Sequence, residues 1–285
     1  MTQLSNMSTI KLLLERHGFR FSKSLGQNFL INPSVCPRMA EESGVTGETN
    51  ILEIGPGIGV LTCELASRGR KVVSIELDKR LLPVLKETLA AHDNVTVVQG
   101  DALKVDLQAL IKEEFSGEPV SVCANLPYYI TSPVIMRLLE ERLPLESITV
   151  MVQKEAAERI CAEPGTRASG AISLAVNYYA EPRILFPVSR GSFMPSPKVD
   201  SAVIRLDVRK KPPVELESEK RFFQLIAAAF GQRRKTVCNA VSAGLSLPKE
   251  RVLAALERAD LDLMVRAERL TLVQFAALDR ALSEE

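Results

Sequence analysis

Between residues 50 and 152 the chain alternates short, predominantly apolar runs with stretches of helical periodicity, and this rhythm constrains the fold more than any other feature. Ile51–Ile54, Val72–Glu76, Val95–Gln99, Val120–Ala124 and Ser147–Val152 read as strands. Val60–Arg68 and Arg80–His92 read as helices, the first with Leu61, Leu65 and Ala66 as its apolar positions. Strands that are apolar throughout are buried on both faces, and strands separated by helices run parallel. The pattern predicts a doubly wound α/β domain. Near residue 182 it changes. Arg183–Pro187 and Ala202–Val208 are strand-like and flank the proline-rich stretch 193–199, and the charged, double-proline segment 209–219 reads as a linker. Beyond it, 219–231, 233–244, 248–258 and 271–283 carry helical periodicity with almost no strand signal. We therefore expect a catalytic-type α/β domain over 1–209, with an N-terminal arm over 1–30 that opens on a short helix at 7–17. A small all-helical domain is expected over 220–285.

Composition narrows the setting. The five cysteines are odd in number, widely spaced and never arranged as CxxC, which argues against a disulfide framework or a zinc site and fits a reducing compartment. No run of 18 apolar residues is long enough for a membrane span, and the polar N-terminus lacks a signal-peptide core, so a cytoplasmic location is expected. A net charge of +1 says nothing about a nucleic-acid partner, but its distribution does. Residues 1–180 sum to −3 and 181–285 to +4, while the arm carries Lys11, Arg16, Arg20 and Lys23 against Glu15. Basic charge at both ends of an acidic middle hints at an anionic partner.

The segment Glu53-Ile-Gly-Pro-Gly-Ile-Gly59 follows a strand and opens a helix. Glycines there let the backbone turn tightly and come close to a ligand. Glu76, 19 residues after Gly57, ends the next strand, where a carboxylate can accept both ribose hydroxyls. These two features imply an adenosine-containing cofactor. The dehydrogenase fingerprint would place a third glycine at position 60, where this chain has Val60, which weakens a nicotinamide reading. Asp101, after the third strand, could accept a hydrogen bond from an adenine amine or simply cap the next helix.

Asn125-Leu-Pro-Tyr-Tyr129 follows the fourth strand. An exocyclic amine on a base is a poor nucleophile because its lone pair is delocalised into the ring. The Asn125 side-chain oxygen and the Leu126 carbonyl can accept its two N–H bonds and favour a tetrahedral nitrogen. Pro127 stiffens the backbone and offers no competing N–H. Tyr128 presents a flat face for an extruded base, worth about 1–3 kcal/mol.

Gln27-Asn-Phe-Leu30, Glu53-x-Gly-x-Gly57, Glu76, Asp101 and Asn125-Leu-Pro-Tyr128 together resemble the S-adenosylmethionine-dependent rRNA adenine N6-dimethyltransferases. Among these the chain is most similar to the small-subunit dimethyltransferase A (kasugamycin-sensitivity) family. Val152-Gln-Lys-Glu155, Phe193-x-Pro-x-Pro-Lys-Val199 and Ala229-Phe-Gly-Gln-Arg-Arg-Lys235 extend the likeness through almost the whole chain. The resemblance implies a Rossmann-like class I methyltransferase sheet, with S-adenosylmethionine as cofactor and no metal. It implies that Asn28 and Leu30 close over the cofactor and that Gly55 and Gly57 let it approach. Glu76 would hold the ribose and Asp101 the adenine amine, and Asn125 would serve both cofactor and target. Tyr128 would stack on the target adenine, with Phe193 on its other face. Tyr129 stands where many members have Asn, and a tyrosine packing outward is the simplest expectation for it.

The implied activity is N6,N6-dimethylation of two adjacent adenosines in the hairpin loop near the 3′ end of 16S rRNA, in the 30S subunit or its precursor, by a monomer. Lys23, Lys198, Arg233, Arg234 and Lys235, the last three expected on a helix, are the candidate RNA contacts. Three alternatives stand beside this reading. One is a 23S rRNA dimethyltransferase of the macrolide-resistance type, and another is an assembly factor that binds without turnover. The third is an NAD enzyme, for which neither His17 nor His92 is placed as a proton carrier.

Overall fold

A computed structural model describes residues 4, 6–19, 28–232 and 234–284. Arg20, Lys23, Gln27 and Arg233, named above, lie outside the described residues.

Seven strands form one sheet: β1 (Asn50–Ile54), β2 (Lys71–Glu76), β3 (Val95–Gln99), β4 (Val120–Asn125), β5 (Leu145–Gln153), β6 (Ala180–Val188) and β7 (Ser201–Val208). Their spatial order is β3-β2-β1-β4-β5-β7-β6. The first five are parallel, with Leu52 opposite Val73 on one side and Val122 on the other. This is the sheet that the predominantly apolar runs predict: β1 at its centre is buried at every residue, while β3 at the edge is only partly buried. β7 runs antiparallel to β5, with Met151 opposite Val203, so the two strand-like runs beyond residue 182 complete the same sheet and make it mixed.

Helices α1 (Met7–Arg16), α2 (Val35–Glu42), α3 (Val60–Ala66), α4 (Leu82–Thr88), α5 (Leu107–Phe115) and α6 (Thr131–Glu140) belong with the sheet, and α7 (Lys154–Ile160) follows β5. Asn6 caps α1 by accepting from the Ser8 and Thr9 amides. Ile10, Leu13 and Leu14 of α1 pack into one cluster with Leu81, Val84 and Leu85, and His17 Nε2 meets Glu87 Oε2 at 2.7 Å. The helix read at 80–92 is a single 3-10 turn at Lys79–Leu81 followed by α4, because Asp78 caps the turn by accepting from the Arg80 amide at 3.1 Å.

The second compact unit comprises residues 158–182 and 209–285. Its helices are α8 (Ala171–Tyr179), α9 (Glu219–Phe230), α10 (Val237–Leu245), α11 (Lys249–Arg258) and α12 (Leu272–Ser283). It takes in a segment that the sequence pattern assigns to the first domain. The reason is local. Tyr178 and Tyr179 of α8 donate hydroxyl hydrogen bonds to the two oxygens of Glu219, at 2.9 and 3.3 Å, and their rings pack against Phe223. Arg221 grips Asp279 of α12 through Nε and Nη2, both at 3.0 Å. Among the described residues no helix is long and apolar enough to cross a membrane.

Candidate active site

The strand order reverses between β1 and β4, and ligands of open α/β sheets bind at the carboxyl ends of strands beside such a switch point. A cleft lies there, walled by the loops that leave β1, β2, β3 and β4. All the acids singled out from the sequence converge on it. Gly55, Gly57, Glu76, Asp101, Asn125, Leu126, Pro127 and Tyr128 line it, together with Asn28, Leu30 and Phe193.

Gly55 and Gly57 hold φ angles of +72° and +61°, which glycine adopts without a Cβ penalty. A Cβ on Gly55 would meet nothing within 4 Å, so its backbone faces open space. A Cβ on Gly57 would stand 3.3 Å from the Phe29 ring, and one on Gly59 3.1 Å from Leu89. The glycines thus divide the work, Gly55 leaving room for a ligand and the other two for packing.

Glu76 is 5% exposed, and its two oxygens accept from the Asp78 amide at 2.7 Å and the Gly57 amide at 3.2 Å. Burial pushes its carboxyl above the usual carboxylate range, while these amides pull it back. The Gly57 bond ties the glycine loop to the acid. Asp101 Oδ1 accepts from the Leu103 amide at 3.0 Å, so it closes its own turn while still lining the cleft. The cap of the following helix is Asp106, not Asp101.

Asn125 is the last residue of β4, next to β5 in the sheet, and Tyr128–Ile130 form a 3-10 turn that leads into α6. Leu126 is buried and anchors the loop. The Tyr128 hydroxyl lies 2.7 Å from Ser201 Oγ at the start of β7, and burial pushes its phenol up. Tyr129 is exposed at the cleft's rim, the outward packing expected of it. Phe193 pairs with Leu30, and Phe29 with Met194, in a two-residue antiparallel ladder that the Ile31 amide extends to the Ser192 carbonyl at 2.9 Å. This ladder fastens the arm to the proline-rich loop, a pairing no local sequence signal reveals. Phe193 is 4% exposed and packs with Leu30 and Met39 in the core, so it contributes a wall of the cleft and not a free ring.

Sequence reasoning misses two residues of the site. Glu53 lines the cleft from β1, is 1% exposed, and accepts from the Ser74 hydroxyl at 2.6 Å. Burial pushes its carboxyl up to about 7. A signal for it exists, an acid inside the apolar run Ile51–Ile54. Ser201 has no signal beyond its place after the proline-rich stretch.

The basic candidates are spread out. Lys198 is exposed in the loop between β6 and β7. Arg234 and Lys235 are exposed in the turn between α9 and α10, not on a helix as their periodicity suggests; α9 ends at Phe230, and the Lys235 amide closes a turn on the Gln232 carbonyl at 2.9 Å.

Residues 18–280 match the family model described as ribosomal RNA adenine dimethylase. Over 276 residues the chain is 49% identical to the ribosomal RNA small subunit methyltransferase A of Geobacillus thermodenitrificans, covering 95% of this chain and 94% of that one. It is 47% identical to the protein of the same name in Alkaliphilus metalliredigens, covering 99% of each. Among solved structures, a dimethyladenosine transferase from Plasmodium falciparum superposes with a TM-score of 0.74 at 26% identity, over 88% of this chain and 95% of that one. The 23S rRNA methyltransferase ErmE gives 0.69 at 30% identity, over 90% and 100%.

Proposed function

The chain belongs to the ribosomal RNA adenine dimethylase family and is an rRNA adenine methyltransferase, and we propose that it uses S-adenosylmethionine to dimethylate N6 of two adjacent adenosines in the hairpin loop near the 3′ end of 16S rRNA. The 30S subunit or its precursor is the particle it acts on as a monomer, and the modification is a step of small-subunit biogenesis. The observation that carries the reading is the meeting of Asn125–Tyr128 with Gly55, Glu76 and Asp101 on one cleft. The small-subunit target is favoured by the relatives, which are nearly half identical and bear that name, over ErmE at 30%.

The residues present fit the cofactor. The backbone at Gly55 is open to the cleft, and Glu76 is a buried acceptor beside it. When bound, S-adenosylmethionine supplies an electrophilic methyl group on a sulfonium and leaves as a neutral thioether. Glu76 accepts the ribose hydroxyls and Asp101 the adenine amine. Asn28 and Leu30, held by the ladder to Phe193, close the methionine side. On the target, the Asn125 Oδ1 and the Leu126 carbonyl accept the two N6 hydrogens and turn the nitrogen lone pair out of the ring. Tyr128, its hydroxyl at Ser201, supplies the stacking face, and Phe193 supports the pocket wall. The proton lost from the methylated amine is acidic enough to pass to water without a strong base. Orientation and acceptor placement therefore carry the rate. After one methyl transfer a single N–H remains, so the second turnover relies on one acceptor and on room for the first methyl. Lys198, Arg234 and Lys235, with Lys23 and Arg233, contact RNA phosphates.

Labelled cofactor offered separately to undermethylated 30S and 50S subunits tests this reading. Dimethyladenosine in 16S rRNA alone is the expected outcome. Label confined to 23S rRNA would move the chain to the macrolide-resistance type, and no label in either would refute the catalytic assignment.

A further inference from the structure

Helix α6 starts at the target-base loop, and its last turn reaches the loop that carries Asp101. There Arg137, with its side chain 19% exposed, donates from Nη1 to the Ala102 carbonyl and from Nη2 to the Val105 carbonyl, each at 2.7 Å. Its Nε donates to Glu141 Oε1 at 2.5 Å, which sets the plane of the guanidinium. A guanidinium holds its donors in a rigid fork, so it fixes the separation of the two carbonyls it binds.

The gripped loop has one closed shape. The Lys104 and Val105 amides donate to the Asp101 carbonyl at 2.8 and 2.9 Å, and the Leu103 amide to its carboxylate at 3.0 Å. The Gly100 amide is bound to the Glu76 carbonyl at 2.9 Å. Val105 packs so closely on Gly100 that a Cβ there would stand 2.5 Å from Val105 Cγ2. Backbone bonds close the loop from within, the exposed Lys104 Nζ lies 3.6 Å from Asp101 Oδ2, and Arg137 holds the loop from outside.

We propose that Arg137 is a positioning residue for adenine recognition: by holding Ala102 and Val105 it fixes the Asp101 carboxylate where it meets the cofactor's exocyclic amine, and so sets the preference for adenine over a 6-oxo purine. The proposal rests on the reading of Asp101 given above. A hypoxanthine ring carries a carbonyl oxygen in place of the amine, and that oxygen faces a fixed carboxylate badly. A lysine keeps the charge of Arg137 but is a point donor that cannot span both carbonyls, so it does not replace the fork.

The test is calorimetric binding of S-adenosylhomocysteine and S-inosylhomocysteine to the full chain, in the wild type, Asp101→Ala, Arg137→Lys and Arg137→Met. A melting curve for each variant reports folding. The wild type should favour the adenine ligand by about tenfold or more, the scale of one hydrogen bond to a charged acceptor. Asp101→Ala should bring the ratio near one, and both Arg137 variants should move it toward the Asp101→Ala value. A merely structural arginine would lower the melting temperature and leave the ratio at its wild-type value, and that result in Arg137→Lys overturns the proposal even if Arg137→Met does not fold. A wild type with no preference, or Asp101→Ala retaining it, removes the Asp101 reading and the proposal with it.

Discussion

Replacing Glu53 by glutamine should stabilise the protein above neutral pH and leave it almost unchanged only at about pH 4 and below. The side chain is 1% exposed on β1, with the Ser74 hydroxyl as donor and the Glu76 carboxylate near enough to raise its pKa further. Cys36, Cys63 and Cys123 are the other titratable groups around it, and burial pushes all three thiols up. Burial raises the Glu53 pKa from 4.5 to about 7. Between those values the folded chain keeps a proton that the unfolded chain has already lost. Stability therefore falls as pH rises through this window and levels off above about 7. At about 1.4 kcal/mol per pH unit the whole window is worth about 3 kcal/mol. Glutamine keeps an oxygen for the Ser74 hydroxyl and cannot ionise, so it mimics the protonated acid. Urea unfolding of wild type and Glu53→Gln, followed by circular dichroism at pH 5.5 and 8.5, should show the advantage of the variant growing by about 2 kcal/mol between the two. The same difference at both pH values would mean that the carboxyl is not held protonated, and the reasoning from burial would fail.

Three further outcomes follow from the site. Asn125→Ala should cut methyl transfer to undermethylated subunits by about a hundredfold or more, the scale of removing a preorganised polar group at the reacting atoms; retention of a tenth of the rate would remove Asn125 from the chemistry. Gly55→Ala and Gly57→Ala both place a side chain at positive φ, costing about 1–2 kcal/mol, but only at Gly55 does the new methyl point into open space in the cleft. Calorimetry should therefore show at least a tenfold loss of S-adenosylhomocysteine affinity for Gly55→Ala and a smaller one for Gly57→Ala, and the reverse order would contradict the division of roles. For RNA, alanine at Lys198, Arg234 or Lys235 should weaken binding to 30S subunits and make the slope of log affinity against log salt shallower by about one for each phosphate no longer neutralised; an unchanged slope would place that residue outside the interface.

Most of the sheet is legible in the sequence because its signal is local and redundant. Five apolar runs with the right punctuation point to parallel strands, and β1 to β5 fall within two residues of where those runs predict them, although β3, at the sheet edge, is only partly buried and not covered on both faces as expected. The acids at the strand ends are legible because a strand of known direction delivers its last residue to a known edge. What escapes depends on contacts distant in sequence. The ladder joining Phe29–Leu30 to Phe193–Met194 spans more than 160 residues, and neither segment alone looks like a strand. Residues 158–182 join the helical unit because Glu219 accepts from Tyr178 and Tyr179, a partnership periodicity cannot report. The basic run near 233 misleads for the opposite reason. It continues the helical rhythm of α9, but Gly231 and a turn interrupt the helix before it.

The charge of the cleft bears on each part of the proposed function. Its lining includes Glu53, Glu76 and Asp101 and, among the described residues, no Lys, Arg or His. A dinucleotide cofactor would bring a pyrophosphate to the glycine loop, where an acid such as Glu76 binds the Gly57 amide and brings negative charge to the loop. A sulfonium cofactor brings positive charge instead, and its neutral by-product loses that attraction once the methyl has moved. The same acceptor-rich lining suits an adenine amine, whose polar hydrogens need acceptors and not donors. An acidic lining disfavours phosphates, and on the proposed function these fall to exposed basic residues such as Lys198, Arg234 and Lys235. On the proposed function, the near-neutral balance of the whole chain combines a cleft whose charged lining is acidic, suited to a cationic methyl donor and an extruded base, with exposed basic residues suited to phosphates.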